Sequence, residues 1–374
     1  RIKLMKVLIL GDASNPHIIK WANALYLSGI KIIIFSLRKG ITSNFCEGIE
    51  IISFDSLQKI TFLTNAAIPK ILYLKAIPKI RTLIKEKKPD IVHAHYASSY
   101  GLLGAILNFH PLVISVWGGD VIDFPETSII HRWIFKYSLM KADSVMTTSQ
   151  FMAQLLVKYT KKTIEVTPFG IDLSVFKPGL KYPLLKEDYD VVIGSIKGLE
   201  WYYGIEYLIE AFELVITRLP QIKMKLVIVG GGALEQSLKE MIKGRNLDDK
   251  VLLTGKVEYT EIQKYHNLLD IFVAVSVYQE SFGVAVIEAS ACCKPVIISR
   301  VGGMIEVVEE NVTGFIVPPR NIDELADKII KLVLDPELRI KMGRAGREKI
   351  EKDFNLKDSL IKMMSIYNGL IAKS

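Results

Sequence analysis

Apolar runs of four to six residues alternate with longer stretches whose apolar positions recur every three to four residues, and the alternation continues along the whole chain. The runs 7–10, 31–36, 91–94, 112–117 and 144–148 read as strands, because each is short, aliphatic and followed by turn residues and a helical period. A second series, 191–196, 225–229, 251–254, 271–275, 295–299 and 314–317, repeats the pattern. Such βα alternation predicts an α/β chain of doubly wound parallel sheets that take ligands at the carboxyl ends of their strands. Two series predict two Rossmann-like domains. The break is expected in 167–183, a stretch rich in Pro, Gly and Lys that follows neither period and leads into the acidic 187–190.

Half of the 374 residues are hydrophobic and 24% are charged, a balance that excludes intrinsic disorder and supplies more than one core. Residues 94–119 carry no Asp, Glu, Lys or Arg and are long enough to cross a bilayer. Pro111, however, divides a small-residue segment, 101–109, from the strand-like 112–117, so a buried core element is expected there. The opening residues run into Gly11 and Asp12 without the small-residue cleavage site of a secretory signal, and read as a first strand. Cys46, Cys292 and Cys293 have neither C-x-x-C spacing nor an even count, which argues against a disulfide scaffold or structural zinc and for the cytoplasm.

Charge is divided unequally. Residues 1–170 hold 21 Lys plus Arg against 11 Asp plus Glu, net +10, whereas 171–374 hold 27 against 29, net −2. The densest basic stretch, 59–88, has eight basic residues opposed by Glu86 and is interleaved with Leu63, Ile68, Ile71, Leu72, Tyr73, Leu74 and Ile77. It suits either an anionic membrane surface or a solvated basic helix face. No nucleic-acid partner is expected, because no helix-turn-helix, finger or RNA-binding aromatic signature accompanies the charge.

The sharpest local signal is Glu280-Ser281-Phe282-Gly283-Val284-Ala285-Val286-Ile287-Glu288, two carboxylates eight positions apart across a loop and the helix after it. Eight helical residues rise about 12 Å, beyond the roughly 5 to 9.5 Å that sets paired carboxylates on one glycosidic bond, so this is not a hydrolase pair. Two readings stay open. The carboxylates hold the two ends of a long polar ligand, with the N–H groups of the helix N-terminus between them for an anion such as a diphosphate, or one caps the helix while the other lies at the surface. Gly230-Gly231-Gly232-Ala233-Leu234-Glu235 follows a strand, but Glu235 stands where a dinucleotide fingerprint needs its third glycine. Asp188 and Asp190 have the spacing of a metal-binding pair, yet they precede a strand at the domain break and read as a solvated turn. No metal site is expected.

Taken together, Asp270, Ser276, the segment 280–288 with Ala289, Lys294-Pro295-Val296, Val301-Gly302-Gly303, Glu306 and Thr313-Gly314 resemble the donor-site signature of the retaining glycosyltransferases of family four, the group 1 glycosyltransferases. The resemblance extends to 225–232, 253–257, 167–178 and 89–120, and is most specific over 190–319. It implies the GT-B fold, two facing Rossmann-like domains with an interdomain cleft. Residues 1–170 would bind the acceptor, with a last helix near 356–371 packing back on them, and 171–355 would bind the nucleotide-sugar donor. It implies that Glu288 takes the ribose hydroxyls and that Glu280 and the backbone of Phe282, Gly283 and Val284 hold the transferred sugar. Ser281 and Gly230 join the donor-binding set, and the backbone near Val257 would face the base.

Two departures stand out. Where the family usually has an arginine after the glycine of the first second-domain strand, this chain has Ser195, and where a lysine precedes a later glycine it has Tyr203 before Gly204. Those cations normally neutralise the diphosphate. Lys197, two residues past Ser195, lies on the same side if the strand continues, and is the candidate replacement; the alternative is a solvated loop lysine. Where many relatives place a histidine, this chain has Trp117, followed by Gly118, Gly119 and Asp120. His17, His93 and His95 are candidates for acceptor-side contact or for plain structural roles, with Trp117 and Gly118 beside them, and Asp120, after two glycines at a strand's carboxyl end, is the stronger acceptor-side candidate and joins Glu280 and Lys197 as the expected catalytic residues.

The resulting expectation is a metal-independent hexosyltransferase in bacterial or archaeal surface glycan or glycolipid synthesis, either free in the cytoplasm or peripheral on the inner membrane face. It would need no cofactor beyond a donor of UDP or GDP type, and its acceptor would be a glycan or lipid-linked molecule. The alternatives are a sugar-nucleotide epimerase of the same fold and a non-catalytic membrane-surface binding protein.

Overall fold

A computed structural model of the chain describes residues 4–40, 42–54, 72–179, 182, 184–185 and 188–373. The chain divides into two compact units, Arg1–Pro168 with Ser359–Ser374, and Phe169–Asp358.

The first unit is built on seven parallel strands: β1 (Lys6–Leu10), β2 (Lys31–Ser36), β3 (Glu50–Ser53), β4 (Ile91–His95), β5 (Leu112–Val116), β6 (Ser144–Thr147) and β7 (Ile164–Val166), in the order β3-β2-β1-β4-β5-β6-β7. Leu8 of β1 stands opposite Ile33 of β2 and Val92 of β4. The central strands are buried on both faces, which is why they read as continuous aliphatic runs rather than alternating ones. Helices supply the other layers. Asn15, whose side chain accepts the backbone N–H of His17, and Pro16 start the helix Pro16–Leu27. The last helix, Leu356–Ile371, carries Tyr367 into this unit's interior, with its hydroxyl 2.6 Å from His93 Nδ1.

The second unit has six parallel strands: β8 (Val191–Ile196), β9 (Met224–Val229), β10 (Val251–Leu253), β11 (Ile271–Ala274), β12 (Val296–Ser299) and β13 (Gly314–Val317), in the order β10-β9-β8-β11-β12-β13. Ile193, Phe212, Leu226, Val273, Ile297 and Phe315 belong to one buried cluster between this sheet and its helices.

Every strand expected from the sequence is present within a residue or two of its expected ends. Two were missed, β3 and β7. Both are short edge strands, half-buried, and each carries a glutamate among few aliphatic residues, so neither shows the run that marks a central strand. Segment 94–119 folds as the π-helical turn Tyr96–Tyr100, the helix Gly101–Leu107 and β5, largely buried. Among the described residues no helix is long and apolar enough to cross a membrane.

Of the basic stretch, residues 59–71, with Lys59, Lys70, Leu63, Ile68 and Ile71, lie outside the described residues, as do 180, 181, 183, 186 and 187 near the expected break. In the described part, the 3-10 turn Leu72–Ala76 and the helix Ile77–Lys87, the apolar residues Leu72, Tyr73, Leu74 and Ile77 pack against the first unit's core. Of the two readings of this stretch, the described part matches the solvated basic helix face: the apolar positions face inward, and Lys75, Lys79, Lys85 and Lys88 are exposed.

Candidate functional site

An open parallel sheet takes ligands where its strand order reverses, because the loops leaving the two flanking strands diverge and open a crevice. In the second unit that point lies between β8 and β11. Lys197 is the first residue after β8, and its backbone N–H donates to Val229 O at 3.0 Å. Its ammonium lies 2.8 and 2.7 Å from Glu280 Oε1 and Oε2, in the segment that follows β11. The Ser276 hydroxyl also donates to Glu280. The pair is well shielded, with side chains 10% and 13% exposed. Lys197 also sits over the Tyr203 ring, 4.8 Å from its centre, so the tyrosine found in place of a lysine packs against the lysine that remains. Burial, then the Glu280 charge, pushes the Tyr203 phenol up to about 12.

Two glycines set this geometry. At Gly230, with φ of +147°, a Cβ would fall 1.9 Å from Lys197 O, and at Gly302, with φ of +52°, 2.1 Å from Glu280 O. Both are places where a neighbouring backbone passes too closely for any side chain. Gly303 N–H then holds Glu280 O at 2.8 Å.

Glu288 lies in the helix Val284–Ala291, which starts at Gly283 with φ of +101°. It is buried. Tyr259 donates its hydroxyl to Oε1 at 3.1 Å, and His266 Nε2 is 3.4 Å from Oε2. Burial and then Glu288 itself raise the Tyr259 pKa, which keeps the phenol protonated and donating. Neither carboxylate caps the helix, and neither is at the surface. Each belongs to its own cluster, Glu280 with an ammonium and Glu288 with a phenol and an imidazole. The Phe282 ring packs on Phe169 and Phe354 at 6.1 and 5.4 Å, which pins the loop so that backbone N–H groups lead the helix. Ser281 and Val257 are half-buried, Val257 in the segment after β10, and the Ser195 hydroxyl is buried at the end of β8. Asp190 accepts Lys223 N–H at 2.8 Å at the opposite, amino end of the strands, and Asp188 is exposed.

In the first unit the order reverses between β1 and β4. His95, ending β4, stacks on His93 at 4.2 Å and lies 4.3 Å from the Trp117 ring, and Trp117 also meets Tyr96 at 5.6 Å and His17 at 6.0 Å. His93 is fully engaged, with Tyr367 on Nδ1 and Ser115 on Nε2 at 2.7 Å, which fits a structural role; His95 Nδ1 is buried with no partner. Burial depresses the imidazoles, His17 and His93 to about 3 and His95 well below its ordinary value, so all three are neutral. Asp120 accepts Ala97 N–H on Oδ2 at 2.9 Å and Trp117 and Gly118 N–H on Oδ1 at 3.2 and 3.0 Å. Its buried carboxyl, raised by desolvation against those bonds, ties the loop after β5 to the loop after β4. That is a positioning contact, with Gly118 as one of its donors.

The structure therefore gathers Lys197, Glu280 and Gly230 in one cluster of the second unit, and His17, His95, Trp117, Gly118 and Asp120 at the corresponding edge of the first. Tyr259, His266 and Tyr96 were not found from sequence. The first two reach Glu288 from elements more than twenty residues away, without a motif. Tyr96 has a signal only in its backbone, φ of +69°, a left-handed conformation that a bulky residue rarely adopts.

Two family models match the chain: Glycosyl transferases group 1 over residues 180–349 and Glycosyl transferase 4-like over residues 6–149. A glycosyltransferase of Methanocaldococcus jannaschii is 25% identical over 360 residues, 92% of this chain and 95% of that protein. A D-inositol 3-phosphate glycosyltransferase of an Arthrobacter species is 27% identical over 376 residues, covering 90% and 86%. Among solved structures, sucrose-phosphate synthase from Thermosynechococcus elongatus superposes with a TM-score of 0.84 at 20% identity, covering 99% of this chain and all of that one. HepE of Anabaena, solved in complex with UDP, gives 0.80 at 19% identity over 98% and 100%.

Proposed function

The chain belongs to the group 1 glycosyltransferases and has their GT-B class of fold, and from that premise we propose that it transfers a hexose-type sugar, with retention, from a nucleoside diphosphate sugar to an acceptor hydroxyl. The observation that carries this reading is the Lys197–Glu280 pair at the strand-order reversal, close before a helix N-terminus, with Glu288 buried beyond it. When the donor arrives the pair must open, the ammonium turning to the diphosphate and the carboxylate to the sugar hydroxyls. The bond from the anomeric carbon to the diphosphate breaks, a bond to the acceptor oxygen forms, and the acceptor proton leaves with the nucleoside diphosphate. Lys197 and the helix N–H groups meet the charge that grows on the leaving group. Glu288 takes the ribose hydroxyls.

The acceptor in this reading is a lipid-linked or membrane-proximal glycan, supported by the net charge of +10 on residues 1–170 and by a relative, 32% identical over 168 residues, that is a phosphatidylinositol monomannoside mannosyltransferase. The donor is of UDP or GDP type; HepE has been solved with UDP-glucose, and that relative is GDP-mannose-dependent. The test is nucleotide release from UDP-glucose and GDP-mannose, with and without lipid-extract acceptors and with and without a chelator. Acceptor-stimulated release that survives chelation is expected. Interconversion of the sugar nucleotide without release would indicate an epimerase, and binding without turnover would indicate a non-catalytic protein.

A further inference from the structure

The helix Ile129–Lys141 in the first unit is apolar on two sides. At 100° per residue Phe135, Ser138 and Leu139 share its inner face, and they are buried. The opposite arc, about 120° wide, carries Ile129, Ile130, Trp133, Lys136, Tyr137 and Met140. Ile129 is 84% exposed, Ile130 70%, Trp133 63% and Met140 62%. Trp133 and Tyr137 stack at 5.5 Å and 13°, Trp133 exposed and Tyr137 half-buried. A surface helix normally turns charge, not Trp and Ile, to the solvent, and scattered single exposures do not produce such a contiguous stripe.

The surroundings indicate what covers it. From Ile129 to Lys162 there are six Lys or Arg against one acid, Asp143, and Glu126, just before the helix, pairs with Arg132 at 2.7 Å and accepts the Tyr159 hydroxyl at 2.6 Å, so the surroundings remain net basic with Arg132 neutralised. Lys136, Lys158 and Lys161 are exposed, and a groove of about 530 Å³ beside the stripe is lined by Trp133, Lys136, Tyr137, Met140 and Lys161 among others. Lys162 caps the helix end instead, with its ammonium on Met140 O at 2.7 Å and on Ala142 O. A protein partner would be met as well by the apolar stripe alone. Lys136 and Lys161 beside Trp133 and Tyr137 match a bilayer interface, where aromatic rings sit at the headgroup level and lysines meet lipid phosphates. By contrast, none of the described residues 72–88 is an exposed large apolar side chain.

We infer that the outer face of the helix Ile129–Lys141, with Lys158 and Lys161, is the surface by which this protein docks on an anionic lipid leaflet. The inference deepens the membrane-proximal acceptor proposed above and rests on it for its purpose, but the docking is measured without catalysis. The experiment is co-sedimentation of the full chain with phosphatidylcholine vesicles and with the same vesicles enriched in phosphatidylglycerol. The native chain should pellet with the anionic vesicles and be released by salt. Each lysine near such a surface contributes about fivefold to partitioning, so K136Q/K158Q/K161Q should lose on the order of a hundredfold. I129S/W133S should lose at least roughly tenfold. K75Q/K79Q/K85Q, on the solvated basic helix, should pellet nearly as the native chain does. All these positions are exposed, so thermal unfolding should be unchanged. Undiminished pelleting of I129S/W133S, loss in the K75Q set alone, equal pelleting on neutral vesicles, or self-association without vesicle binding would each overturn the inference. Nucleotide release from UDP-glucose and GDP-mannose without acceptor, measured on the same variants, keeps the two readings apart: turnover without docking removes only the membrane face, and docking without turnover removes only the transferase.

Discussion

Replacing Lys197 by methionine keeps the length of the stem and removes the ammonium. A unit of charge developing on the diphosphate about 4 Å from that ammonium interacts with it by roughly 4 kcal/mol at the effective dielectric of about 20 that suits a shielded site. Delocalisation over the phosphate oxygens and residual attraction to Glu280 reduce this, leaving about 2 to 4 kcal/mol, a fall in kcat of roughly 30- to 1000-fold. Because the charge grows toward the transition state, kcat should fall far more than donor KM rises. The same substitution strands the Glu280 carboxylate with Ser276 as its remaining donor among the described contacts, and breaking a buried pair costs about 3 to 5 kcal/mol of folding stability. The double variant K197M/E280Q separates the two effects, since it should regain most of the stability and none of the turnover. The assay is steady-state nucleotide release at saturating donor, beside urea unfolding of all three variants. A K197M enzyme within about threefold of native kcat, or a double variant that regains activity along with stability, would refute the role given to Lys197.

Glu288→Gln should weaken nucleoside diphosphate binding by roughly ten- to a hundredfold, as loss of charge-assisted hydrogen bonds does, with unfolding little changed; calorimetric titration with UDP and GDP checks it. Gly302→Ala should cost more than about 1 kcal/mol of stability and most of the activity, because its Cβ would meet the Glu280 backbone, whereas Gly369→Ala, with nothing within 4 Å in the last helix, should be neutral or slightly stabilising in the same melts. Acid should unfold the first unit preferentially: His17 and His93, held near 3 in the fold against about 6.5 when free, bind protons mainly in the unfolded chain, so their contribution is complete above pH 6.5 and declines as pH falls toward 3, by up to about 1.4 kcal/mol per pH unit for each. Calorimetry of native and His93→Gln chains between those limits should show a shallower slope in the variant, and identical slopes would count against burial as the cause.

The sequence by itself determined the α/β class, nearly all the strands and the group 1 family. Central parallel strands must be aliphatic on both faces, and that requirement is written locally, as is the run from Glu280 to Glu288. The edge strands β3 and β7 escaped, because half-buried strands need no such run. Only the tertiary structure decided which partners the site residues have. Lys197 and Glu280 are 83 positions apart, and nothing in either segment specifies the other until the order β8-β11 sets their loops side by side. Tyr259 and His266 reach Glu288 in the same way, and Asp120 spends its oxygens on backbone N–H groups that no spacing could predict. The basic stretch and the helix Ile129–Lys141 show the same division: charge and apolar content are visible along the chain, but whether Leu72 or Trp133 faces water depends on which side of its segment the core has covered. Secondary structure follows from local periodicity, whereas exposure and pairing follow from contacts between distant segments, and these exist only once the sheets have formed.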